Sequence, residues 1–423
     1  MQVFLQKLNT LFADAQLRKR ILFVLGALVV TRLLAAIPIP SINVEALAQF
    51  FGDNQFFGLL NIFSGGGLSG LSIVMLGVGP FITASIIVQL MTILSPKLKA
   101  MYSEEGEAGR QKISQYSRLL MVPLAALQAF AFITLFQKNG IIPDLTSMQL
   151  ITSIVVITGG SVLLTWIGEM INEFGIGNGV SIIIFAGIVA GIPGAVEQLS
   201  LTFTPDQLPM YIGFGLLSLL VVMGVVVITE AERPIPITYA RQIRGNKVYG
   251  GVSTYLPLRL NQAGVMPIIF ALSILLFPQM IGNFLAASTN AIALKVSSFL
   301  LTIFANNTVY TIIYFVLVFL FTYFYTAVTF DPDAISKNLQ RSGAFIPGVR
   351  PGQSTAEHIG NILTRLTMFG ALFLGIIAIL PLIMQSVTGI TALAIGGTGL
   401  LIVISVIVDL LKKIDAQLSL REY

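Results

Sequence analysis

Cysteine is absent from the 423-residue chain, which excludes a disulfide framework, a thiolate metal site and a cysteine nucleophile. Histidine occurs once, at His358 in a polar loop, so no histidine cluster is available to hold a metal. Charge is scarce as well. Asp, Glu, Lys and Arg make up 10% of the residues, where a soluble domain carries about 25%. Within the long apolar runs only Arg32, Glu169 and Asp409 are charged, each near a run's end. Proton and ion relays need buried carboxylates, histidines or paired charges, and none align here. There is no Walker phosphate loop and no Ser/His/Asp or paired-carboxylate arrangement. These absences disfavour an enzyme and an ion-coupled carrier, and no cofactor is expected.

What the chain has is apolar length. It is 55% hydrophobic, with a mean hydropathy of +0.89, and reads as an all-α polytopic membrane protein. A spanning helix needs about 20 apolar residues. The runs predict ten spans: Ile21–Ile37, Leu71–Leu94, Leu119–Phe136, Leu150–Ile167, Val180–Ile192, Tyr211–Ile228, Ala263–Ile281, Val309–Phe330, Leu366–Met384 and Ala392–Leu411. The fifth is short, so it either extends back through Gly175 or sits off the bilayer centre. Residues 281–305 are apolar but broken by Asn, Ser, Thr and Lys295, and read as an external loop with partial helix. The run from Ile21 follows Arg18-Lys19-Arg20 without a small-residue cleavage site, and reads as a span rather than a signal peptide.

Basic residues orient these spans. Of 24 Lys and Arg, one set of connections holds all but Lys138, Lys295 and the intramembrane Arg32. Lys/Arg excess marks the cytoplasmic side, so both termini are expected there, as ten spans require. Three cytoplasmic loops are long, at 95–118, 229–262 and 331–365, and invite partners from that side. In the last, residues 342–352 (SGAFIPGVRPG) combine rigid turns, an apolar anchor and one Arg, the mark of a structured tip.

Between Phe56 and Pro96 the apolar stretch is interrupted by Ser64-Gly65-Gly66-Gly67-Leu68-Ser69-Gly70. The piece before it is too short to span, and broken backbone cannot face lipid with its N–H and C=O groups unpaired. Two readings stand: an interfacial surface loop, or a re-entrant plug beside water. Spans one to five end near Ile192 and six to ten begin after loop 193–210. The odd count makes two such copies inverted repeats. The halves are 1–192 and 211–423, with 193–210 as an external hinge. Their second and seventh spans share Gly79-Pro80-Phe81-Ile82 and Met266-Pro267-Ile268-Ile269, each with a proline read as weakening its helix.

Several stretches together carry a resemblance over nearly the entire chain: Ile37-Pro38-Ile39-Pro40, Phe63-Ser64-Gly65-Gly66, residues 106–116 (GEAGRQKISQY), residues 175–188 (GIGNGVSIIIFAGI), Leu256-Pro257-Leu258-Arg259-Leu260-Asn261 and the 342–352 tip. In this order, on ten spans, they resemble the SecY family of protein-conducting channels. The resemblance implies two five-helix halves around an hourglass pore. Its aliphatic ring falls on Val78, Ile82, Val180, Ile184, Ile269 and Ile402. Val78 and Val180 are smaller than the isoleucines common in the pattern. The plug falls at 57–67, including Phe57, Leu60, Asn61, Ile62, Phe63, Ser64, Gly65 and Gly66. A lateral gate lies between spans two, three, seven and eight, with Gln89, Gln128 and Asn261 on or beside it. Arg241, Arg244, Lys247, Arg341 and Arg350 are implied docking residues for the SecA motor ATPase or the translating ribosome. The turn Glu232-Arg233-Pro234-Ile235 is less basic than in many members.

Function follows as an expectation. Unfolded secretory chains cross the pore, and transmembrane segments and signal sequences leave sideways into the lipid bilayer. SecE and SecG are the implied small subunits, and the bacterial cytoplasmic membrane the implied location. An inverted-repeat secondary transporter is the alternative from another class. An intramembrane enzyme is a third, without a nucleophile–base pair to support it.

Overall fold

The computed structural model describes residues 14–39, 67–68, 70–103, 106–138, 140–143, 145–201, 208–239, 242–244, 247–249, 253–264, 266–286, 290–388 and 391–419. In chain order the elements are α1 (Ala15–Ala35), α2 (Gly79–Leu94), α3 (Pro96–Ser103), α4 (Gly106–Lys138), α5 (Ser147–Phe174), α6 (Gly179–Leu201) and α7 (Leu208–Glu230). Then come β1 (Glu232–Tyr239), β2 (Gln242–Arg244), β3 (Lys247–Tyr249), β4 (Ser253–Arg259), α8 (Met266–Leu285), α9 (Ala291–Ala305) and α10 (Asn307–Thr329). The last are α11 (Pro332–Arg341), β5 (Ala344–Phe345), α12 (Gln353–Thr388) and α13 (Thr391–Ser419).

Each of the ten apolar runs meets a helix, and local chemistry sets the boundaries. Asp14 accepts from the Gln16 amide at the start of α1, and Asp331 accepts from Asp333 and Ala334 at the start of α11. Among the described residues, Ala108–Lys138, Ser147–Phe174, Asn307–Arg341 and Gln353–Met384 are long and apolar enough to cross a bilayer. Their neighbours expose apolar surface of the kind a lipid bilayer accommodates: Leu22, Leu25 and Leu33 on α1, and Leu216, Leu219 and Leu220 on α7.

Several expectations change. The second run is helical only from Gly79; residues 73–78 form turns, entered at Leu71 (φ +39°) and bent at Gly77 (φ +58°). Pro80 lies in the first turn of α2 and Pro267 is the second residue of α8. There a missing N–H costs nothing, so both prolines start their helices rather than weaken them. The fifth span does not run back through Gly175. Gly177 (φ +96°) breaks the chain, and α6 starts at Gly179 and continues past Pro193 to Leu201. This turn is tight because a methyl at Gly179 would collide with the Gly168 carbonyl, and Asn172 Oδ1 accepts from the Gly179 amide at 2.7 Å. Most of 281–305 is helix. Asn290 caps α9, and Ser297 Oγ donates to the Gly282 carbonyl of α8 at 2.7 Å. His358 is exposed on α12 rather than in a loop.

The chain packs as two compact units, residues 1–211 with 272–310 and 381–423, and residues 212–271 with 311–380. This grouping by packing follows other boundaries than the 1–192 and 211–423 halves. In the first unit, Leu68, Leu71, Met75 and Leu76 bury against Phe132, Ile133 and Phe136 of α4 and Ile157 of α5. Residues 71–78 are thus apolar core, while most of the 64–70 break lies outside the described residues. In the second unit two of the long loops, 229–262 and 331–365, join. β1 pairs antiparallel with β4 from Glu232↔Arg259 to Thr238↔Ser253, and with β5 at Thr238↔Phe345 and Tyr239↔Ala344. Ile235, Leu258, Ile346 and Ile359 form a common core beneath this sheet. β5 covers only the end of β1, so Pro234 and Pro236 lie where that strand has an open edge. Leu258→Ala is expected to weaken this core by about 2–5 kcal/mol. Limited proteolysis should then cut within 231–260 while the spanning helices stay intact. Unchanged resistance would mean that other contacts hold the loops.

Candidate pore, gate and docking residues

The start of α2 brings together the first two predicted ring residues. Val78 is its N-cap and fully buried, and Ile82, one turn on, is 6% exposed; the Ile82 amide donates to the Val78 carbonyl at 3.1 Å. On α6, Ile184 is 1% exposed, while Val180 is half-buried beside Gly168 of α5. α13 packs antiparallel on α6: Gly399 faces Ile188, and Leu410 approaches Gly177. Ile402, on α13, is 1% exposed. Five of the six expected ring residues belong to the first unit. The sixth, Ile269, is buried near the start of α8 in the second, next to Phe270, whose ring meets Phe321 and Tyr325 edge-on.

The residues expected at the lateral gate divide the same way. Gln89 on α2 and Gln128 on α4 are half-buried, on helices that pack together. The Gln89 side-chain oxygen is buried without a hydrogen bond. Asn261 follows β4 in the second unit and is buried where Gly370 of α12 approaches the Leu260 carbonyl. Its amide nitrogen donates to the Gly264 carbonyl at 3.2 Å, and its oxygen has no partner. An unpaired amide oxygen leaves a site poised to accept a donor.

The expected docking tip, residues 342–352, is tied down at several points. Gly343, Gly348 and Gly352 take positive φ, where a side chain is strained. Ile346 anchors the tip in the loop core, and Ser336 Oγ donates to the Gly352 carbonyl at 2.6 Å. Thr355 Oγ1 donates to the Arg350 carbonyl, and Arg350 and Arg341 are exposed. Phe57, Leu60, Asn61, Ile62, Phe63, Ser64, Gly65 and Gly66 of the expected plug lie outside the described residues, as do Arg241 and the side chains of Arg244 and Lys247.

The intramembrane charges are all partnered. Arg32 of α1 donates from Nη2 to the carbonyls of Ala186 and Gly187 in α6, the latter at 3.2 Å. Arg118 of α4 pairs with Glu169 of α5, and Asp409 with Lys413 one turn along α13. The first two contacts tie helices together, and among the described residues these charges form no chain through the membrane. The sequence motifs missed two residues that touch the stretch leading to Val78. Gly160 and Ser161 of α5 press on residues 73–77, and their only sequence signal is a small-residue run, Gly159-Gly160-Ser161, inside a span.

Apolar helices with lipid-facing surface, a buried helix break and a folded basic loop domain define a polytopic helical membrane protein. Comparison with known proteins narrows the class. The SecY family model matches residues 72–411. Protein translocase subunit SecY of Mycobacterium tuberculosis H37Rv is 39% identical over 445 residues, covering 100% of this chain and 99% of that one. Protein translocase subunit SecY of Thermus thermophilus is 41% identical over 420 residues, covering 96% and 94%. Among solved structures, one described as "The structure of a protein conducting channel" superposes with a TM-score of 0.65 at 18% identity, covering 96% of this chain and 93% of that one. One described as "Sec61 in the Canine ribosome-channel complex from the endoplasmic reticulum" gives 0.62 at 17% identity, with the same coverage. At those identities the two structures speak for the fold alone. The chain belongs to the SecY family.

Proposed function

We propose that this chain is the channel subunit of a protein translocase and not an enzyme, passing unfolded secretory polypeptides through the membrane and releasing transmembrane segments sideways into lipid. The observation that carries this reading is similarity to translocase subunits along the whole chain, at 39–41% identity. Val78, Ile82, Val180, Ile184, Ile269 and Ile402 form the constriction. A narrow aliphatic ring excludes water and ions, yet offers a passing chain no hydrogen bonds to grip. Leak matters, because each charge crossing the potential exchanges roughly 2.3 kcal/mol per 100 mV. Residues 57–67 stopper the ring from outside. Gln89, Gln128 and Asn261 line a lateral gate that a signal segment of about 20 apolar residues pries open. The halves 1–192 and 211–423 hinge at 193–210.

Arg341 and Arg350, with Arg241, Arg244 and Lys247, offer the cytoplasmic docking surface. The SecA motor ATPase or a translating ribosome supplies the drive there, and basic loops suit ribosomal RNA phosphate. SecE and SecG complete the complex in the bacterial cytoplasmic membrane, with both termini in the cytoplasm. The structural partners of Arg32 and Glu169 weigh against an ion-coupled carrier. The absence of cysteine makes a direct test clean. Ile82→Cys should form a disulfide with a single cysteine placed in a stalled secretory chain. Crosslinks confined to lipid-facing positions, with none at 82, would overturn the channel path.

A further inference from the structure

The start of the ring-bearing helix is not held by its own cap. Val78, its N-cap, makes no side-chain capping bond. The stretch before it is irregular: the Gly77 amide donates to the Val74 carbonyl at 2.8 Å, and Gly77 itself takes φ +58°. What fixes this stretch comes from α5. Ser161, fully buried, donates from Oγ to the Gly77 carbonyl at 2.7 Å. One residue earlier, Gly160 lies so close to the Ile73 backbone that a methyl group there would collide with its carbonyl carbon and oxygen. From the other side, the Ile73 amide donates to the Ile37 carbonyl at 3.0 Å, and the Ile39 amide to the Leu71 carbonyl at 2.9 Å. The stretch is thereby clamped between the end of α1 and the middle of α5, one residue before Val78.

We propose that Gly160 and Ser161 are positioning residues that set where Val78 and Ile82 stand, and so how stringently the channel discriminates among signal sequences; this rests on the channel reading above. The hydroxyl supplies the directional hold. Without it the buried Gly77 carbonyl loses this partner, which destabilises the clamped arrangement relative to displaced ones. The glycine supplies the steric half, because any side chain at 160 must push the Ile73 backbone away from α5. Neither residue needs to touch the translocating chain.

The test compares two export reporters in cells, one with an intact signal sequence and one with a shortened apolar core. Ser161→Ala is expected to raise the defective-to-intact export ratio about tenfold, with Ser161→Thr, which keeps the hydroxyl, within about twofold of the parent. Gly160→Ala should move the ratio in the same direction as Ser161→Ala. A residue that only holds the fold together would lower both reporters in parallel, and that result overturns the proposal. An unchanged ratio in Ser161→Ala and Gly160→Ala, with Ile82→Asn raising it, overturns the proposal while the channel reading stands. If Ile82→Asn also leaves the ratio unchanged, Ile82 is not part of the constriction and the proposal fails with that assignment.

Discussion

Ile184→Asn or Ile82→Asn is expected to loosen the closed channel, raising both ion leak and export of defective-signal reporters by roughly 30-fold. Ile184 is 1% and Ile82 6% exposed, so each aliphatic side chain is almost wholly withdrawn from solvent. Truncating and polarising such a site removes apolar burial worth about 1.5–3 kcal/mol. It also introduces an amide that costs about 1–3 kcal/mol to keep dry. An open or hydrated channel relieves both penalties. A net shift of about 2 kcal/mol toward opening corresponds to the factor of roughly 30. Dewetting at the constriction fails for the same reason, since an amide there retains water. Planar-bilayer conductance and the reporter ratio read the two effects separately. Parental leak with parental signal stringency in both variants would remove these residues from the ring.

Arg350→Glu is expected to cut partner-driven export by roughly 30-fold or more, as for a charge lost from a close interfacial pair. The tip that carries Arg350 is held by Ile346 in the loop core and by the Ser336 and Thr355 hydroxyls on neighbouring carbonyls. Reversing an exposed charge disturbs none of these, so protease resistance of the loops should match the parent. Loss of export with an intact tip identifies a docking contact, whereas loss of both would trace to folding. Proteoliposomes supplied with the motor, assayed beside co-sedimentation with ribosomes, distinguish which partner reads the residue. Normal export by both routes would strip Arg350 of the role.

Spans were legible because hydrophobic length is a local property, but their ends were not. The run from Leu71 is apolar enough to continue α2 backwards, and no composition rule stops the helix at Gly79. What stops it is the packing of Leu71, Met75 and Leu76 against α4 and α5, together with the left-handed bend at Gly77. The two prolines misled for a related reason. Position within a helix decides whether a missing N–H matters, and that position depends on where the helix begins. Motif matching assigned Val78, Ile184 and Ile402 without naming what supports them. Gly160 and Ser161 carried no motif and emerged only from their contacts.

The chain's sequence by itself determined a cysteine-free, polytopic helical membrane protein and its place in the SecY family, and it supplied the expectation for its orientation. Each of these rests on composition, charge placement or motif order, which need no knowledge of neighbours in space. Only the tertiary structure decided where the second helix starts, that Arg32 ends on the carbonyls of α6, and that β1, β4 and β5 join two distant loops over one core. Those depend on contacts between residues far apart in the chain, such as Ser161 with Gly77, and no local pattern encodes which distant carbonyl a buried donor will meet.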